Sequence, residues 1–154
     1  MLQKILVCLD GSSLAEQILP YATEQALHFS SKVVLLQVIA GPRAIPSPVP
    51  GEPAFILVPE PEELQREQNE ARAYLESVAQ PLREKGLDVE CVALPGTPSD
   101  AIVGYAAENE VDLIAIATHG RSGLGRLALG SVADFVLRES GLPILLIKPR
   151  ETEA

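Results

Sequence analysis

The chain has 154 residues and a formal net charge of −9; 47% of it is hydrophobic and only 4% aromatic. This fits one domain whose core is built from Leu, Ile, Val and Ala and needs no disulfide framework. The negative field argues against a nucleic-acid or anionic-membrane partner, and no apolar stretch nears the ~20 residues of a spanning helix. In chain order, Ile5 to Leu9 is a short apolar run of strand length that stops at Asp10-Gly11. Ser13 and Glu16 have the spacing of a capping box, which predicts a helix from Leu14 to Phe29 with Leu14, Ile18, Ala22 and Ala26 facing inward. Val33 to Val38 is the second strand. Prolines 42, 46, 48, 50, 53, 59 and 61 then fall between Ala40 and Glu62, a density that predicts a long loop without regular structure. The loop, 41–61, is expected to act as a lid or a partner surface, because Phe55 to Val58 inside it require cover.

Glu62 to Lys85 reads as a long helix that buries Ala71, Leu75, Val78 and Leu82 and ends at Gly86. Val89 to Leu94 is the third strand. Thr97, Pro98 and Asp100 supply a helix start, and Ala101, Ile102, Tyr105 and Ala106 form the inner face of that helix. Leu113 to Ala117 is the fourth strand. Ser131 and Asp134 have capping-box spacing at the head of a last helix, with Val132, Phe135 and Val136 inward, and Pro143 to Lys148 is the fifth strand. Strands this apolar must be covered on both faces. The fold predicted is therefore α/β: an open, doubly wound, Rossmann-like parallel sheet of five strands in the order 3-2-1-4-5, with helices on both faces. It would form a single domain over residues 1–150, with 151–154 as a tail.

Cys8 and Cys91 sit in apolar runs and read as small core residues. The amino-terminal apolar run is too short for a secretory signal, so a cytoplasmic location is expected. His28 is expected on the surface of the first helix.

In a sheet of this kind, ligands bind beyond the carboxyl ends of the strands. The richest such stretch is 118–131, which has glycines at 120, 123, 125 and 130, arginines at 121 and 126, and no acid. It leads to a helix N-terminus at Ser131, whose free N–H groups favour an anion, and glycines let backbone donors approach phosphate oxygens. A phosphate cradle is predicted. Two better-known phosphate motifs fail here. Gly125 and Gly130-Ser131 have P-loop spacing without its lysine. Gly123, Gly125 and Ala128 imitate a dinucleotide fingerprint, but they start too far from the strand and lack the later acid.

The segment ATHGRSGLGRLALGSVADFVLRESGLPILLIK resembles the carboxyl-terminal signature of universal stress proteins. Their ATP-binding members carry Gly-x2-Gly-x9-Gly-Ser/Thr. Gly120, Gly130 and Ser131 match it, while Ala117 stands in place of the opening glycine. KILVCLDGS, VVLLQV and GTPSDAI are similar to other parts of that family. The resemblance implies ATP, with or without Mg2+, as ligand. Leu9, Asp10 and Val38 would be at the base and ribose end, and Ala117, Gly120, Gly130, Ser131 and Val132 at ribose and phosphates. His119 and Arg121 would assist. Asp10 also reads as a cap for the first helix. The expected function is that of a nucleotide-binding regulatory or stress protein. The alternatives are a slow ATPase or phosphotransferase, or a nucleotide-free dimeric interaction module of the same family. A response-regulator receiver shares the fold class but needs acids that are missing from the other strand ends. A homodimer through Ile144–Ile147 is expected, because that apolar run lies at a sheet edge.

Overall fold

The computed structural model describes residues 1–118 and 129–151. Among the described residues, seven strands and four α-helices follow in this order: β1 (Lys4–Leu9), a 3-10 turn (Ala15–Ile18), α1 (Leu19–Phe29), β2 (Lys32–Ala40), β3 (Arg43–Ile45), β4 (Phe55–Leu57), α2 (Pro61–Glu84), β5 (Val89–Gly96), α3 (Pro98–Glu108), β6 (Leu113–Ala117), α4 (Ser131–Glu139) and β7 (Ile144–Ile147). Five strands form one parallel sheet in the order β5-β2-β1-β6-β7, which is the predicted 3-2-1-4-5. The other two, β3 and β4, make a separate antiparallel ribbon.

Period-two alternation divides the core into two layers. On one face Ile5, Val7 and Leu9 of β1, with Val33 and Leu35 of β2, pack against Ile18, Ala22 and Ala26 and against Leu75, Ala79 and Leu82 of α2. On the other face Leu6, Cys8, Val34, Leu36, Ile114 and Ile116 meet Ile102 and Ala106 of α3 and Val136 of α4. Both cysteines are free thiols. Burial pushes the Cys8 thiol up to about 12, and Cys91, half-buried beside Glu76, rises to about 11 mainly for the same reason. His28 is exposed, with its ring edge-on to Phe29.

Two capping boxes do not form. The α-helix begins at Leu19 rather than Leu14, because Pro20 lacks an N–H and is tolerated only in a first helical turn. The residues before it close as a 3-10 turn, in which Ser12 Oγ rather than Ser13 accepts from the Ala15 N–H at 3.1 Å and Leu14 is only half-buried. At the last helix the cap is Gly130, not Ser131, and no side chain bonds it; Asp134 pairs instead with Arg138 at 2.7 Å. The end of α2 follows expectation, with Gly86 at φ +92 and Leu87 N–H donating back to Leu82 O. Within that helix Ala79 is buried and Val78 packs at the margin.

The proline-rich segment also departs from prediction. β3 pairs with β4 over Arg43↔Leu57, Ala44↔Ile56 and Ile45↔Phe55. The prolines fall on either side of these two short runs, so no ladder donor is lost.

The amino-terminal rim of the sheet is stitched by side chains. The Asp112 carboxylate accepts from the N–H groups of Gln3 and Lys4 at 2.9 Å each, and Lys4 Nζ donates to Asn109 O at 2.6 Å. Ser31 Oγ donates to Leu2 O. At the other rim, Gln17 grips the chain after β7: its Nε2 donates to Arg150 O at 2.8 Å and its Oε1 accepts from the Arg150 N–H at 2.9 Å. Gln17→Ala is expected to lower stability by about 1 kcal/mol, the net worth of an ordinary hydrogen bond, since this clamp is exposed. Urea unfolding checks this, with an unchanged slope marking a pure stability effect.

Candidate functional site

Every strand of the main sheet points the same way, so Leu9, Ala40, Gly96, Ala117 and Ile147 all end at one rim. Leu9 lies opposite Gln37, which brings the ends of β1 and β2 side by side, and β1 also pairs with β6. Three predicted site positions, Asp10, Val38 and Ala117, therefore sit at the carboxyl ends of adjacent strands. Val38 and Val132 pack against the same core layer, the one beneath α3 and α4. The head of α4 thus lies on the face of the sheet toward which Val38 points.

Asp10 begins the turn out of β1. Its Oδ1 accepts from the Ser12 N–H at 2.9 Å and from Ser12 Oγ at 2.5 Å, and Ser12 in turn supports the 3-10 turn. The carboxylate therefore caps this corner. Gly130 has φ +77 and ψ +147, a conformation open essentially to glycine alone. Ser131, Val132 and Ala133 follow as the first helical residues, and their N–H groups have no carbonyl partner within the helix. The Ser131 side chain is exposed and bonds no cap position. The predicted site residues His119, Gly120 and Arg121 lie outside the described residues.

Two polar groups at this rim were not singled out in the sequence. Gln37 Oε1 is buried without a hydrogen-bond partner among the described residues. Its Nε2 lies 3.6 Å from where a Cβ on Gly11 would stand. The signal was present, since Gln37 is the one polar residue inside VVLLQVIA. Tyr74 of α2 approaches on the same face, and its hydroxyl is likewise buried and unpartnered among the described residues. Burial, then the Glu16 and Asp10 carboxylates, push its phenol up to about 12. These two groups lie on the α1 and α2 side, away from Val38 and Val132.

Among the described residues no group of three or more His, Cys, Asp or Glu side chains is placed to hold a metal ion. None of their helices is long and apolar enough to cross a membrane. A shallow hollow along the first turns of α2, lined by Pro61, Glu62, Gln65, Arg66, Asn69 and Glu70, contains no predicted site residue.

A model of the universal stress protein family matches residues 1–148. The chain is 30% identical over 151 residues to universal stress protein MJ0531 of Methanocaldococcus jannaschii, covering 98% of this chain and 85% of that one. Its fold is similar to that of MJ0577 from the same organism, with a TM-score of 0.75, 27% identity and 99% of both chains covered. It is also similar to the universal stress protein of Archaeoglobus fulgidus solved with dAMP, with a TM-score of 0.66, 24% identity, and 96% of this chain and 100% of that chain covered.

Proposed function

Since the chain belongs to the universal stress protein family, we propose that it is a cytoplasmic regulatory protein that binds ATP at the carboxyl rim of its sheet. The observation that carries this reading is the head of α4. Gly130, at φ +77, turns the chain into α4, whose first N–H groups have no carbonyl partner within the helix and no side-chain cap. A helix N-terminus with no side-chain cap suits phosphate oxygens, which accept from the free donors and gain from the dipole. Gly130, Ser131 and Val132 would take phosphates, Ala117 the ribose, and Leu9, Asp10 and Val38 the base and ribose end. Gly120, His119 and Arg121 complete the phosphate side, with or without Mg2+. The A. fulgidus family member, solved with dAMP, supports an adenine nucleotide.

Binding rather than turnover is the role this chemistry favours. The segment 118–131 has no lysine for the phosphates, so efficient phosphoryl transfer lacks one of its usual parts. Calorimetry with ATP is the test, and no heat of binding at millimolar nucleotide would overturn the reading. Ser131→Ala should weaken ATP binding by about 1.5 kcal/mol, roughly tenfold, by removing one hydroxyl donor to a charged oxygen. Its thermal unfolding should not change, because that hydroxyl bonds no cap position.

We further propose a homodimer through β7. Ile114 N–H donates to Pro143 O, and Thr118 N–H to Ile147 O. Alternation then turns the N–H and C=O groups of Ile144 and Leu146 outward, where no described strand pairs with them. A second β7, antiparallel about a two-fold axis, satisfies that ladder.

A further inference from the structure

We propose that the β3–β4 ribbon is a second self-docking surface, by which two copies of this chain pack ribbon face to ribbon face about a two-fold axis. The ribbon stands off the core. Phe55, Ile56, Leu57 and Val58 are 50%, 69%, 41% and 64% exposed, and none of them belongs to a core cluster. It is anchored at its base by a close backbone approach, since a Cβ on Gly41 would stand 2.9 Å from the Gly96 backbone.

Cross-strand partners share a face, so Arg43, Leu57, Ile45 and Phe55 form one face of the ribbon and Ala44 and Ile56 the other. The first face has an aromatic anchor and a charge at its base. Beyond Phe55, in the turn at the tip and outside the ladder, stands Glu52, exposed and accepting from Ser47 Oγ at 3.3 Å. Two such faces laid antiparallel put Phe55 and Leu57 at the centre and bring each Glu52 to the Arg43 of the other copy. The pairing is self-complementary in shape and in charge.

Charge also selects a second copy as the occupant. The protein carries −9, yet residues 41–59 contain one cation, Arg43, and one anion, Glu52. Contact along this segment therefore adds no local charge repulsion to that between the two molecules. The apolar area on one face is a few hundred Å2 per copy, below the ~800 Å2 per partner of a stable interface, so the contact is weak alone. Where β7 already joins two copies, a second isologous contact extends the assembly beyond a dimer.

Sedimentation velocity over a concentration series tests this, in the wild type and in a Leu146→Pro background that isolates the ribbon from β7. The expected result is weak, concentration-dependent association that persists in that background and is lost with Phe55→Ser. Arg43→Glu or Glu52→Arg alone should weaken it about tenfold, and the two together should restore it. Ile56→Ser, on the opposite face, should leave it unchanged. These exposed positions do not pack in the core, so the same series in the wild-type background reads out even if Leu146→Pro fails to fold. Ribbon variants that leave every association constant unchanged would overturn the proposal. So would failure of the charge swap to restore association, or nucleotide-dependent protection of residues 43–57 in dilute monomer, which would make the ribbon a lid. The association constants read out the ribbon contact whether or not ATP binds; only the protection experiment requires nucleotide.

Discussion

Gly130→Val is expected to abolish measurable ATP binding while leaving a folded protein. Two effects combine at this position. At φ +77 and ψ +147 a β-branched residue is strained, so the chain must turn differently into α4. The Ser131 and Val132 N–H groups then point in a different direction. The new side chain also occupies space that a phosphate would need. A loss of roughly a hundredfold or more in affinity, about 2.7 kcal/mol, is expected by calorimetry. Circular dichroism separates this from unfolding, because the layer beneath α4 is anchored by Ala133 and Val136, which the substitution does not touch. Retained affinity in a folded variant would move the nucleotide away from the head of α4.

Leu146→Pro should convert the proposed β7 dimer to monomer. The substitution is informative because of where its lost N–H points. Pro143 O and Ile147 O face β6, so Leu145 and Ile147 make the inward ladder, and Leu146 turns its N–H to the open edge. Proline there leaves β6 pairing without a missing donor but deprives a partner strand of one. The clamp from Gln17 to Arg150 directs the chain after β7 toward the 3-10 turn. Light scattering should show a dimeric wild type and, for Leu146→Pro at the same dilute concentration, the mass of one chain. A wild type of single-chain mass at high micromolar concentration would sink the β7 dimer, and a dimer insensitive to the substitution would place the interface elsewhere.

The five-stranded sheet was legible in the sequence because its strands are short apolar runs separated by helical periodicity. Leu113 to Ala117 was placed to the residue. What escaped was local. Pro20 decides that α1 starts at Leu19, yet Ser13 and Glu16 imitate a start five residues earlier; a proline's veto outweighs a cap that spacing merely permits. The ribbon escaped because proline density was read as an average over 41–61. Pairing depends instead on the two proline-free triplets, Arg43–Ile45 and Phe55–Leu57. At the rim, Asp10, Val38 and Ala117 came from the resemblance to universal stress proteins, and the strand ends gave only their place at one edge of the sheet. Gln37 stood out in sequence only as one polar residue in an apolar strand, Tyr74 did not stand out within a largely polar helix, and only tertiary packing buries their polar atoms.

The stitched amino-terminal rim has an evolutionary corollary. An insertion between α1 and β2 or between α3 and β6 that displaces Ser31 or Asp112 would sever bonds that join distant parts of the chain, those of Asp112 to Gln3 and Lys4 and of Ser31 to Leu2. The opposite rim already tolerates an insert as long as the ribbon, held by little more than the Gly41 to Gly96 approach. Length variation among descendants of such a chain is thus channelled to the carboxyl rim of the sheet. Recognition there can diversify by loop exchange while the scaffold beneath is inherited unchanged. A protein engineer seeking to graft a new binding loop should cut between Gly41 and Pro59, and nowhere near Asp112.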